Sequence, residues 1–385
     1  WEFLVDPDGR LTQPLLTENM PLLRADAEWM CGSGVFEFIM PPDPARFPIF
    51  EQRVGSAKTL GNFALDAKES RNLYGVFNFG DAPGDGGWAN LESMADHELF
   101  LHWMRTGSRE HFDMARLAAE HYRDMDIHHG AGFAHTHCNN HVASNESWSH
   151  AWIQGVRDLY FLTGDLAALD VLAQMGERLL TKPAGFTSGR DWTRPLDDLV
   201  DIYGATGDSR FLNALKEQFA ELKRRQLPAN AVAGAERFSW YEDRYAAGCA
   251  FTWYGCQAMA KLHALTGGDD LLDTLRVEID QTLNVQTKSI RSMNILPTDK
   301  LTEDHQAAEL GVFALGRGST LFPPLGYLAG ATGDKKYLNL GMKILAHYML
   351  SQRGGGDASA MAYATVFLRY AREAGLCAAD EAAAF

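Results

Sequence analysis

Residues 128–165 read HHGAGFAHTHCNNHVASNESWSHAWIQGVRDLYFLTGD, and the way this stretch ends decides the fold. Its second half starts at Ser147 or Ser149, both competent N-caps, and carries Ile153, Val156, Leu159 and Tyr160 at helical spacing. It stops at Gly164, where a left-handed C′ position favours glycine, and Asp165 can cap the next helix. Thr163-Gly164-Asp165 therefore makes a helix hairpin. The first half has no apolar period. It places His135, His137, Cys138, Asn139, Asn140 and His141 on a loop punctuated by Gly130 and Gly132, and it reads as a site loop. Ten of the 13 histidines fall between His97 and His150.

The same turn recurs at Thr106-Gly107-Ser108, Thr206-Gly207-Asp208, Thr266-Gly267-Gly268-Asp269 and Thr332-Gly333-Asp334, with spacings of 43 to 66 residues. Each copy follows an apolar, aromatic-rich segment and precedes a more charged one, so the chain is an array of helix pairs. In the second helix after Asp208, Phe211, Leu212, Leu215, Phe219 and Leu222 form one stripe, while Lys216, Glu217, Glu221, Lys223 and Arg224 form the solvated face. The first helices, near 91–105, 149–162, 194–205, 248–265, 317–331 and 357–374, are apolar or small nearly all round. Six inner helices with five clear outer ones, and a possible sixth within 51–71, predict an all-α dominated (α/α)6 toroid. Residues 1–65 hold seven of the 14 prolines and an alternating run, Gly34 to Met40, and are expected to form a small extended or β-rich segment. The toroid is then assigned to 66–376 and a tail to 377–385.

If the Thr-Gly-Asp turns gather at one end of the toroid, the long polar loops entering the inner helices gather at the other. That rim would bring together residues 78–96, 135–150, 190–194, 237–244 and 305–317.

Composition removes several classes of function. A formal charge of −15 with no Lys/Arg cluster argues against a nucleic-acid or anionic-membrane partner. No apolar run approaches the roughly 18 to 20 residues of a membrane span. Five scattered cysteines do not make a disulfide framework. No signal peptide is visible, and a chain beginning at Trp1 reads as a processed form or a fragment.

The blocks NLYGVFNFGD (72–81), GGWANLESMADHELFLHWMRTGS (86–108) and NNHVASNESWSHAWIQGVRDLYFLTGD (139–165) resemble the α/α toroid domain of exo-rhamnogalacturonan lyase-like polysaccharide lyases. The resemblance spans roughly residues 70–350. It implies β-elimination on a uronic-acid-containing polysaccharide, and a secreted or periplasmic location. β-rich domains often accompany that toroid, and no catalytic residue is carried over from the family.

The site is argued from chemistry instead. Elimination beside a uronate needs a group to neutralise the carboxylate, a base for the adjacent carbon-bound proton and an acid for the leaving oxygen. Asn139, Asn140, Arg237 and Arg244 can neutralise, because Arg clamps a carboxylate bidentately and Asn donates to it. His141 or His150 can be the base. Tyr241 can be the acid or a paired base. The competing structural roles are a loop cap for His141 and an ion pair from Arg244 to Glu242 or Asp243. Trp88, Trp148 and Trp192 are candidates to stack on sugar rings, with core packing as their ordinary alternative. Asp96 begins the first inner helix and can face the cavity.

His135, His137 and His141 also permit a metal site, although no cofactor is expected. Gly80 to Gly87 lacks the Lys-Ser/Thr of a phosphate-binding loop. A glycoside hydrolase on the same scaffold would instead pair Asp96 with Glu146, Glu242 or Asp243. A non-catalytic glycan-binding protein is the third reading.

Overall fold

A computed structural model of the chain describes residues 23–56, 59–60, 63–64, 82–84, 87–89, 94–134, 146, 148, 151–184, 190–225, 249–286, 321–350 and 358–384. Short helices α1 (Ala27–Gly32) and α2 (Pro48–Ser56) precede the hairpins. The hairpins pair α3 (Ala95–Thr106) with α4 (Arg109–His121), α5 (Gln154–Thr163) with α6 (Leu166–Leu180), and α7 (Arg190–Thr206) with α8 (Ser209–Arg225). They continue with α9 (Cys249–Thr266) and α10 (Asp269–Gln286), then α11 (Phe322–Thr332) and α12 (Lys335–Leu350). Helices α13 (Ala358–Glu373) and α14 (Ala378–Ala384) end the chain. Among the described residues no helix is long and apolar enough to cross a membrane.

The threonine of the repeated turn has a structural job. In each copy its hydroxyl donates to the carbonyl four residues back, as from Thr163 to Leu159 and from Thr332 to Leu328. In four of the copies the same oxygen accepts the N–H two residues on, at Ser108, Asp165, Asp208 and Asp334. The glycine between them takes φ near +70° (Gly107, Gly164, Gly207, Gly267, Gly333), and its N–H donates to the carbonyl four residues back. Asp165 then accepts the Ala168 N–H at 3.0 Å and opens the next helix. The turn is thus specified by local hydrogen bonds, which is why it can be read from sequence.

Helices α3, α5, α7, α9, α11 and α13 each pack on the next, and α13 packs back on α3, closing the ring. The first five are backed by α4, α6, α8, α10 and α12. The sixth outer position is built from both ends of the chain: α14 packs on α12 and α2, and Glu381 accepts the N–H groups of Ile49 and Phe50. In α8, Phe211, Leu215, Phe219 and Leu222 are buried while Lys216 and Glu217 are exposed, as the stripe predicts. Each such side chain contributes about 1.5–3 kcal/mol on burial.

The segment between α1 and α2 enters the turn end of the ring. Phe36, Ile39 and Met40 are buried. The Met40 N–H donates to the Thr365 carbonyl within α13 at 2.9 Å, and Arg105 Nε of α3 donates to the Met40 carbonyl at 2.8 Å. The alternation from Gly34 to Met40 produces only isolated bridges at Gly34, Val35 and Glu37, because Glu37 turns the chain with φ +67°. A non-glycine residue held there is strained. The other such residue among those described is Met94, φ +61°, immediately before α3 at the opposite end.

Candidate active site

The loop end of the ring begins with Asp96 and His97 in the first turn of α3. Asp96 is fully buried; the His97 N–H donates to its Oδ1 at 2.8 Å, and Oδ2 has no partner among the described residues. Burial pushes this carboxyl from 3.8 up to about 7, against the opposing pull of the His97 N–H and imidazole. The carboxyl reaches that place because position 155 is glycine: a Cβ there would lie 1.9 Å from Asp96 Oδ2. Gly155→Ala is therefore expected to displace the Asp96 carboxyl and to cost about 1–3 kcal/mol in urea unfolding.

His97 is 2% exposed, and its Nδ1 contacts Asp158 Oδ2, one turn into α5. A carboxylate acceptor there holds the proton on Nδ1 and leaves Nε2 with the lone pair. Among the described residues no group hydrogen-bonds Nε2. Arg157 holds Asp158 from the other side through its Nη2, 2.8 Å from Oδ1, and its Nη1 reaches Asp201 at 2.6 Å. Burial works against the charge on Arg157, yet Asp201 and Asp158 outweigh it and raise its pKa. Asp201 in turn is opposed by burial but held ionised by Arg157 and Lys261.

A second group of buried polar side chains joins α5 to α7. Arg194, fully buried, donates from Nε to the Ala151 carbonyl at 2.9 Å and from Nη1 to Asp197 at 2.7 Å. Its guanidinium lies 4.6 Å from the Trp152 ring centroid, and the Trp152 backbone N–H donates to the Tyr122 hydroxyl at 2.8 Å. Burial drives Asp198 well above the usual carboxylate range although Arg194 pulls it down. These contacts fix where α5 begins relative to α7, and so where Gly155 and Asp158 stand beside α3.

Of the residues singled out from sequence, Asn139, Asn140, His141, His150, Arg237, Tyr241 and Arg244 lie outside the described residues, as do His135 and His137. Trp88 pairs with Pro83 in a two-stranded hairpin. Trp148 and Trp192 correct the expected sugar platforms. Trp148 is 3% exposed and donates its indole N–H to Glu146; Trp192 is fully buried and donates to Gln218 of α8 at 2.8 Å. Burial leaves neither ring a free face for a sugar among the described residues. Glu146 is engaged by Arg178 and by Lys182 at 2.7 Å, so it is no unpaired hydrolytic carboxylate.

The His97–Asp158 pair was not singled out from sequence. Asp96-His97-Glu98 is visible at the head of the first inner helix, but its partner lies 61 residues on, and only closure of the ring joins them.

No protein-family model matches the chain, and no curated protein matches it in sequence. Solved structures match it in fold. A polysaccharide lyase aligns over 74% of this chain and 91% of its own, at 13% identity and TM-score 0.54. An unsaturated glucuronyl hydrolase specific for heparin aligns over 85% and 98%, at 11% identity and TM-score 0.56. Cellobiose 2-epimerase from Spirochaeta thermophila aligns over 85% and 98%, at 11% identity and TM-score 0.55. The likeness is one of fold. At these identities it shows the α/α toroid and does not transfer residue roles.

Proposed function

We propose that this chain is a carbohydrate-active enzyme that cleaves a uronic-acid-containing glycan by β-elimination at the loop end of the toroid. The observation that carries the reading is the pairing, in the first turn of one inner helix, of a histidine oriented by Asp158 of the next inner helix with a carboxyl that stays protonated toward neutral pH. His97 Nε2 takes the proton from the carbon beside the uronate carboxylate. The released electron pair forms the carbon–carbon double bond as the bond to the glycosidic oxygen breaks, and Asp96 protonates that oxygen. Asn139, Asn140, Arg237 and Arg244 are proposed to neutralise the uronate, with His141, His150 and Tyr241 as further proton carriers on the same rim. The fold is shared with a lyase, a hydrolase and an epimerase, all described as acting on sugars, which supports a glycan substrate.

Incubation with a panel of uronate-containing polysaccharides tests the reading. Elimination gives an ultraviolet-absorbing unsaturated uronate; new reducing ends without that chromophore would instead identify a hydrolase with a carboxylate pair. Absence of any product across the panel would favour a glycan-binding protein.

Asp96 also predicts a pH dependence. Between about pH 4 and about 7 the unfolded chain has released a proton that the folded chain retains, so this group's contribution to stability falls as pH rises. Asp96→Asn is expected to remove that decline, measured as urea unfolding midpoints at pH 5 and 7.5, and to lower turnover at every pH because the amide cannot protonate the leaving oxygen.

A further inference from the structure

A cavity of about 510 Å³ opens at the turn end of the ring, away from Asp96 and His97. It lies among the inner helices, beside Phe161, Gly204, Leu265 and Tyr370, and the inserted segment supplies Glu37 and Phe38. We propose that it is a second binding site, for an uncharged sugar of the size of one or two rings, distinct from the place of cleavage.

Three observations carry this. The first is the charge balance on one side of the cavity. Lys261 Nζ lies 3.0 Å from Glu37, 2.8 Å from Asp197 and 3.3 Å from Asp201, which also binds Arg157. Two cations thus meet at least as many carboxylates as they can neutralise, and an anionic ligand would have to break one of these pairs. An uncharged ligand can hydrogen-bond to the outer lone pairs of Glu37 and Asp201 without doing so. The second is the aromatic wall. Phe38, Phe161, Tyr327 and Tyr370 line the space; Tyr327 and Tyr370 meet edge to face at 6.1 Å, and His263 bonds the Tyr327 hydroxyl at 2.6 Å. Phe38 is 47% exposed and Leu265 56% exposed at the edge of the cavity, a pattern suited to the apolar face of a sugar ring.

The third is Gly204. Glycine inside a helix costs stability, yet a Cβ at this position would meet nothing within 4 Å, and no positive φ requires glycine there. What glycine does leave is room in the cavity it lines.

The test is binding of D-glucose, D-galactose, L-rhamnose and maltose to the full chain, followed by saturation-transfer NMR and calorimetry, with D-glucuronate as the charged control. At least one neutral sugar is expected to bind, and Gly204→Phe, which fills the space, is expected to weaken it at least about tenfold with the helical circular dichroism unchanged. Phe38→Ala, at an exposed position, is expected to weaken the same sugar. Lack of binding by all four sugars overturns the proposal. So does binding that survives Gly204→Phe, or glucuronate binding as tightly as its neutral counterpart. Because the readout is binding of a neutral sugar and not elimination, its failure leaves the elimination reading standing, and failure of that reading leaves this one.

Discussion

His97→Ala is expected to lower turnover about 10²- to 10⁴-fold while leaving the folded chain intact, since that range is what a positioned proton carrier supplies. The imidazole is 2% exposed and contacts Asp158, so its loss removes both the base and the partner of a buried carboxylate. Asp158→Asn separates the two effects. It keeps the shape of the seam but offers Nδ1 an amide in place of a carboxylate, so the imidazole loses its fixed tautomer. A fall in kcat with KM nearly unchanged and a shifted pH profile is expected for Asp158→Asn. Full activity in His97→Ala, with elimination product still formed, would remove the proposed base and return the role to His141 or His150.

Asp201→Ala should produce the largest loss of stability, about 3–5 kcal/mol in urea or guanidinium unfolding, because removing one member of a buried ion cluster strands its partners. Asp201 is 5% exposed and binds Arg157 at 2.6 Å and Lys261 at 3.3 Å. Without it, the buried Arg157 and the partly buried Lys261 share Glu37, Asp158 and Asp197. Asp201→Asn keeps a hydrogen-bonding oxygen and should lose less. The linked pH effect has a definite sign: the folded-state pKa of Asp201 is depressed, so its contribution is present above the ordinary carboxylate range and is lost as pH falls below it. A variant as stable as the parent would show that Arg157 and Lys261 find other partners.

How much of this was legible in the sequence depended on how local the determining contacts are. Thr163, Gly164 and Asp165 satisfy one another's neighbours within four residues, so the turn and its copies could be recognised without coordinates. The outer stripe of α8 was equally legible, because its period follows the helix. Trp192 shows the opposite case, in which core packing replaces the alternative of a sugar platform. Its place before an inner helix suggests the rim, but its bond to Gln218, 26 residues away, puts the ring in the wall. Asp158 reads as one more charge in an amphipathic helix until α3 and α5 are side by side.

The sequence by itself therefore determined five hairpins and the ring they imply, since each rests on hydrogen bonds and apolar spacing within a single element, whereas the sixth outer position is filled by α2 and by α14, which the sequence assigned to a tail. Only the tertiary structure decided that His97 meets Asp158, that Gly155 admits the Asp96 carboxyl, and that the Ser33–Phe47 segment enters the turn end beside Lys261. Those outcomes depend on which side chains lose water together, and no residue carries that information until its distant neighbours are packed against it.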